Sequence, residues 1–267
     1  MRGMIGGIDH LVIACSDPDA SAAELESAMG LVATGGGRHE GFGTFNRIVW
    51  LADGTYLELV GVADRDLATT TPVSSAVSRL LDEHGGGLAT YALRDDDLEL
   101  TVSALQGAGS RLGPVTHGSR RNPDGELVEW WASVPQETLG ADGIPFLIQH
   151  AYTGTEWSPG TLAARSTFAH PVGSPVILVR LDLAVADPPG VAARYHEQLG
   201  LEFWAVGDLA VCTIDRHTIR LVRARDMDVP ASVTLGAQVE QTRMATELGM
   251  RFELERVELP LPEPNRA

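Results

Sequence analysis

Residues 8–30 read IDHLVIACSDPDASAAELESAMG: an apolar run, a Ser16-Asp17-Pro18 stop, and a helical stretch that closes at Gly30. Asp17 suits an N-cap, Pro18 the first helical turn, and Gly30 a left-handed C-cap. Ala20, Ala23, Leu25 and Met29 give the predicted helix a modest apolar stripe. The pattern returns in VRLDLAVADPPGVAARYHEQLG (179–200), where Asp187-Pro188 and Gly200-Leu201 repeat Asp17-Pro18 and Gly30-Leu31 at one offset (187 − 17 and 200 − 30, both 170). A weaker copy, GGLATYALRDDDLELTVSALQGAG (86–109), sets Asp96 and Gly109 against Asp17 and Gly30 at an offset of 79. A repeat of one supersecondary unit therefore organises the chain.

Strand candidates follow each helix. In the first unit they are Thr44–Ala52 and Tyr56–Val62 around the Asp53-Gly54 hairpin signal, and in the second Glu126–Val134 and Pro145–Tyr152. In the third, Leu209–Ile214 and Ile219–Ala224 flank Asp215–Thr218. Each unit reads strand, helix, strand, strand, strand, an α+β plan of βαβββ modules. One module covers only half its sheet, so modules must pair. Residues 1–155 are expected to hold two of them (4–64 and 86–153), joined by a helix over Thr69–Gly87. A third module, with a further helix and strand over Ser232–Leu254, fills 170–258. The Pro-rich tail LPLPEPNRA (259–267) reads as loose.

The chain has 267 residues, 44% hydrophobic and 21% charged, enough to build a large core and too apolar for a disordered segment. Twenty Lys and Arg against 36 Asp and Glu leave a formal charge of −16. Such a surface repels phosphate, which argues against nucleic acid and anionic membranes as partners. Cys15 and Cys212 lie inside apolar runs and read as buried free thiols, in keeping with a reducing, cytoplasmic setting. The N-terminal apolar run is broken by Asp9 and His10, so no signal peptide is expected, and no stretch approaches the ~18 apolar residues of a membrane span.

Paired βαβββ modules resemble the vicinal oxygen chelate superfamily of glyoxalase I, extradiol dioxygenases and bleomycin-resistance proteins. More closely, the chain resembles the glyoxalase-like domain family. The matching pieces are Ile8-Asp9-His10-Leu11-Val12, Gly36-Gly37-Arg38-His39, Gly43-Thr44-Phe45-Asn46 and Tyr56-Leu57-Glu58-Leu59. They continue in Gly118-Ser119-Arg120-Arg121-Asn122-Pro123-Asp124-Gly125 and Pro145-Phe146-Leu147-Ile148-Gln149.

Strand alternation puts His10, Val12 and Ala14 on one face and Leu11, Ile13 and Cys15 on the other. Glu58 shares a face with Tyr56 and Val60, so His10 and Glu58 can meet on one concave surface. An imidazole and a carboxylate suit a divalent transition ion, and the resemblance implies ligands at those two strand positions. In the second module it implies a ligand at Gln149, with His150 next in line. Ala89 stands for His10 there, so a full set of four ligands is missing. The expected cofactor is one divalent ion (Zn, Ni, Mn, Co or Fe), or none. Glu58 and His39 are the candidate proton carriers. Thr44, Asn46 and His150 are candidate substrate contacts, and Arg120 or Arg121 is expected to clamp an acidic substrate. Trp50, Trp130 and Trp131 read as sheet packing, with one of them available as a pocket wall.

In the third module the offset replaces His10 by Arg180, and the strand alignment replaces Glu58 by Arg220. Two arginines cannot hold a metal and repel unless an acid such as Asp182 or a bound anion sits between them. This module reads as a scaffold or a homodimer contact, because it has no partner in its own chain. Motifs of other enzyme classes are absent: there is no GxxxxGK[ST], no GxGxxG after a strand, no GxSxG and no CxxC. Gly35-Gly36-Gly37 reads as a loop between strands.

The resemblance implies a metal-dependent lyase or isomerase that works through an enediolate or enolate on a small anionic substrate. One rival is a metal-free, drug-sequestering binding protein. The other, an extradiol-type dioxygenase, is disfavoured by the missing second histidine at Ala89.

Overall fold

The computed structural model describes residues 5–39 and 41–258, so the expected loose tail lies outside the described residues. The first module runs β1 (Ile5–Ala14), α1 (Pro18–Met29), β2 (Gly35–His39), β3 (Thr44–Trp50) and β4 (Tyr56–Val62). Helix α1 starts and stops as its end residues dictate: Asp17 Oδ1 accepts from the amides of Asp19 (2.9 Å) and Ala20 (3.2 Å), and Gly30 is left-handed at φ 70°. A short α2 (Arg65–Ala68) and then α3 (Pro72–His84) lead to the second module. This comprises β5 (Gly87–Asp95), α4 (Leu98–Gly107), β6 (Thr116–Arg121), β7 (Leu127–Ser133) and β8 (Phe146–His150).

These eight strands close into a barrel in the order β1-β4-β3-β2-β6-β7-β8-β5. Each module places its last strand parallel to its first (β1 with β4, β5 with β8), and β1 and β5 join the modules antiparallel. Closure on the far side is a single pairing of β2 with β6, Arg38 opposite Arg121. That approach corrects the reading of Gly35-Gly36-Gly37, which are strand residues. A Cβ on Gly37 would lie 2.0 Å from the Arg121 carbonyl oxygen, so only glycine lets the two modules meet there.

After α5 (Pro159–Thr167), the third module forms β9 (Val176–Val185), α6 (Pro188–Leu199), β10 (Trp204–Val206), β11 (Leu209–Ile214) and β12 (His217–Arg223). The expected helix and strand over 232–254 are instead three strands, β13 (Ala231–Ala237), β14 (Arg243–Glu247) and β15 (Met250–Arg256). The hairpin between the last two turns on Leu248 (φ 53°) and Gly249 (φ 69°), the pair of positive angles a two-residue turn requires. All seven strands form one open sheet, β10-β11-β12-β9-β13-β15-β14. Strand β13 runs antiparallel to β9 and parallel to β15, as β5 does to β1 and β8. The third module therefore does have a partner in its own chain, a fourth module reduced to three strands. Arg180 and Arg220 are held by Asp182, with Arg220 Nε and Nη2 at 2.6 and 2.5 Å from its two oxygens and Arg180 Nε at 3.1 Å.

One apolar core joins the outward faces of β1 (Leu11, Ile13) and β5 (Tyr91, Leu93) to Leu181, Leu183, Ile219, Leu235 and Phe252 of the open sheet. Polar contacts fix the junction. His217 Nδ1 accepts from the Ile8 amide at 3.0 Å while its Nε2 meets Asp53 Oδ2 at 3.3 Å, and the hydroxyls of Tyr91 and Tyr195 lie 2.7 Å apart. Among the described residues no helix is long and apolar enough to cross a membrane.

Candidate active site

Inward-facing side chains of the barrel line a cavity of about 350 Å³, the size of a small-molecule site. Its covers are the start of α3 (Pro72–Ser74, Val77) and the connector after β8, which contributes Glu156 and Trp157. Arg165 on α5 stacks 3.5 Å over the Trp50 ring and fixes that connector. The two modules divide the lining. Module one supplies His10, His39, Thr44, Asn46, Tyr56 and Glu58, whereas module two supplies mainly Val128, Trp130, Ala132, Phe146 and Ile148.

Glu58 lies between two imidazoles. Its Oε2 is 3.6 Å from His10 Nε2 and its Oε1 is 3.6 Å from His39 Nε2. Asn46 Nδ2 donates to Glu58 Oε1 at 2.5 Å, and His39 Nδ1 meets Thr44 Oγ1 at 2.9 Å. The His10 ring stacks on Tyr56, 4.5 Å between centroids and 11° between planes. Burial pushes the His39 pKa down; Glu58 opposes that, and Arg120 adds to it. Behind His10, Asp9 Oδ1 contacts His10 Nδ1 at 2.7 Å and His150 Nε2 at 3.0 Å. Burial alone would raise the Asp9 carboxyl, but the imidazoles of His150 and His10 more than reverse this and hold it well below the usual carboxylate range.

Of the residues singled out from the sequence, His10, His39, Thr44, Asn46, Glu58, Arg120 and His150 line this cavity, and Gln149 and Arg121 do not. Gln149 Oε1 accepts from the Leu98 amide at 2.9 Å, at the start of α4, so Gln149 turns to the outer face and the next residue, His150, turns in. Arg121 is exposed, with its Nη1 donating to the Gly125 carbonyl at 3.0 Å. Arg120 points inward as expected, but its Nη2 meets Glu156 Oε1 at 2.5 Å and its Nη1 reaches the Gly36 carbonyl at 3.3 Å. Its charge is already balanced. The strand register also revises the counterpart of His10: the β1–β5 pairing skips Asp9 on one strand and Ala89 on the other, so Thr90, the residue after Ala89, holds the equivalent place.

The expected divalent ion finds no complete ligand set. Among the described residues no three His, Cys, Asp or Glu side chains form a group that could hold a metal. Glu58 presents a different oxygen to each imidazole, and one of those oxygens is engaged by Asn46. From module two, the lining residues Phe146 and Ile148 add no donor.

Sequence reasoning passed over Asp9, Tyr56, Glu156 and Trp157. Asp9-His10 was visible as a dipeptide, yet strict alternation sends the two to opposite faces. Nothing periodic marks the connector that carries Glu156 and Trp157.

A model of the glyoxalase-like domain family matches residues 8–199. No curated protein matches the chain significantly. Among solved structures, a hypothetical protein from Staphylococcus aureus superposes with a TM-score of 0.76 at 15% identity, covering 94% of this chain and 99% of that one. A 4-hydroxymandelate synthase mutant from Streptomyces coelicolor gives a TM-score of 0.50 at 14% identity, over 87% of this chain and 71% of the other. The methylmalonyl-CoA epimerase from Mycobacterium tuberculosis gives 0.43 at 20% identity, over 55% of this chain and 90% of the other. At these identities the likeness is one of fold.

Proposed function

Because the chain belongs to the glyoxalase-like domain family, we propose that it is an isomerase- or lyase-type enzyme that enolises a small, uncharged α-hydroxy carbonyl compound with an apolar body. The observation that carries this reading is the 3.6 Å separation of Glu58 Oε2 and His10 Nε2 in the lining of a mostly apolar cavity. Two neighbouring acceptors suit the C–H and the O–H of one carbinol carbon. Glu58 Oε2 takes the carbon-bound proton and the C–H electrons flow towards the carbonyl. His10 Nε2 carries the hydroxyl proton to the former carbonyl oxygen, so the intermediate is an enediolate whose charge balances the proton held on Glu58. Return of the carbon proton to the neighbouring carbon completes an isomerisation. Asn46 holds Glu58 Oε1, so the carboxylate does not rotate away from the reacting carbon. A neutral substrate is favoured because Arg120 is spent on Glu156, which leaves Glu58 as the uncompensated charge of the lining.

The test is a panel of uncharged aliphatic and aromatic α-hydroxy ketones and aldehydes, each matched with a carboxylate analogue, incubated with the protein in D2O and followed by proton NMR. Deuterium should enter the α-carbon of at least one uncharged member. Saturable binding without exchange would replace this reading with the second one, a small-molecule sequestering protein. The apolar wall of Val128, Phe146 and Ile148 favours that alternative.

A further inference from the structure

By alternation along β1, Asp9 belongs on the outer face with Leu11, yet its carboxylate reaches the ring nitrogens of two cavity-lining histidines. The register of β1 against β5 explains this: Ile8 pairs with Leu93 and His10 with Ala92, a shift between Ile8 and His10 that lets Asp9 and His10 share one side. Asp9, His10 and His150 are all at least 95% buried. A single oxygen, Asp9 Oδ1, serves both imidazoles, His10 Nδ1 at 2.7 Å and His150 Nε2 at 3.0 Å.

An ionised carboxylate can only accept hydrogen bonds, so each of those two nitrogens must carry a proton. The tautomer of a neutral imidazole is then decided, because the hydrogen bond on one nitrogen settles the state of the other. His10 is left with its lone pair on Nε2, the atom that faces Glu58 Oε2. The stack on Tyr56 and the edge contact with Phe146 at 5.6 Å hold the ring in that plane.

We propose that Asp9 is a positioning residue, one that fixes His10 as the Nδ1–H tautomer so that Nε2 presents an acceptor beside Glu58, and that His150 anchors Asp9 from the opposite module. The two modules are thereby tied at the site, since β8 supplies the second donor to an acid carried by β1. The proton-transfer role of His10 rests on the function proposed above; the tautomer assignment does not.

Long-range 1H–15N correlation spectra of the uniformly 15N-labelled full chain, recorded where the imidazoles are neutral and assigned by comparison with His10→Gln, read the tautomer directly. The proposal expects Nδ1 protonated and Nε2 unprotonated at His10. In Asp9→Asn the new amide can donate to the ring, so the His10 signals should move towards the Nε2–H form. Proton exchange on the best panel compound should fall with it, by about 10²- to 10⁴-fold, as when an aspartate that orients a catalytic imidazole is changed to asparagine. An Nε2–H tautomer in the unmodified protein overturns the assignment even if Asp9→Asn fails to fold. An unchanged tautomer in a folded Asp9→Asn protein overturns it as well. A changed tautomer with undiminished exchange overturns the positioning role. If the tautomers behave as expected but no compound exchanges, the proposed function fails and the assignment stands.

Discussion

Arg120 and Glu156 meet 2.5 Å apart inside the barrel, one from β6 and the other from the connector that covers the cavity, with side chains only 6% and 8% exposed. Removing one partner of such a pair strands the other charge in a poorly solvated place, at a typical cost of about 3–5 kcal/mol. Glu156→Gln and Arg120→Met should each lower unfolding free energy by an amount of this order in urea titrations. The double variant should recover much of the loss. Single variants within 0.5 kcal/mol of the parent would show that the pair is solvated.

The same pair separates neutral from acidic ligands. With Glu156→Gln, Arg120 regains an unbalanced charge, and carboxylate members of the compound panel should bind at least tenfold more tightly relative to their neutral counterparts. Calorimetric titration of matched pairs checks this. An unchanged preference would mean that Arg120 does not face the ligand.

Stability should fall on acidification. His39 and His170 are both pushed below the ordinary histidine value of 6.5 by burial. Below pH 6.5 the unfolded imidazoles take up protons that the folded ones resist, so the unfolded state gains and stability declines until the folded groups also titrate. Each such group adds a slope of up to about 1.4 kcal/mol per pH unit in that window. His39→Gln should make the decline in Tm between pH 6.5 and 5 shallower, and an identical decline would contradict the assignment.

Native Cys15 and Cys212 should resist a thiol reagent at pH 8. Burial pushes both thiols up to about 11, which leaves little of the reactive thiolate. Full labelling should need denaturant, whereas rapid native labelling would show that the core joining the barrel to the open sheet is loose.

Much of this fold could be read from helix-end residues, which act within one turn. Asp17 caps α1, and Gly30 and Gly200 are left-handed at the ends of α1 and α6, whereas Asp187 makes no capping bond. Helix α4 is bounded by Asp97 and Ala108 in place of the expected Asp96 and Gly109. His10 and Glu58 were legible for a similar reason: alternation along a regular strand is local. The misreadings share a cause as well. Gln149 and His150 are neighbours, and a shift of one residue exchanges the inner and outer faces of a strand. The irregular pairing near Ile8 hid Asp9 in the same way. Glu156 enters the cavity from a connector, where no periodicity reports what lies beneath. The strands over 231–256 are explained by the pairing of β13 with β9, on which β15 and β14 then build, a contact between distant segments that local propensity does not encode.

The central claim is that Glu58 moves the proton, and Glu58→Gln tests it most directly. Glutamine keeps the size and can still pair with Asn46, but it cannot accept a proton near neutral pH. The rate of solvent deuterium entering the best panel compound at saturation should drop by about 10²- to 10⁴-fold, with affinity changed less than tenfold and Tm preserved. Exchange within threefold of the parent at unchanged affinity would contradict the account.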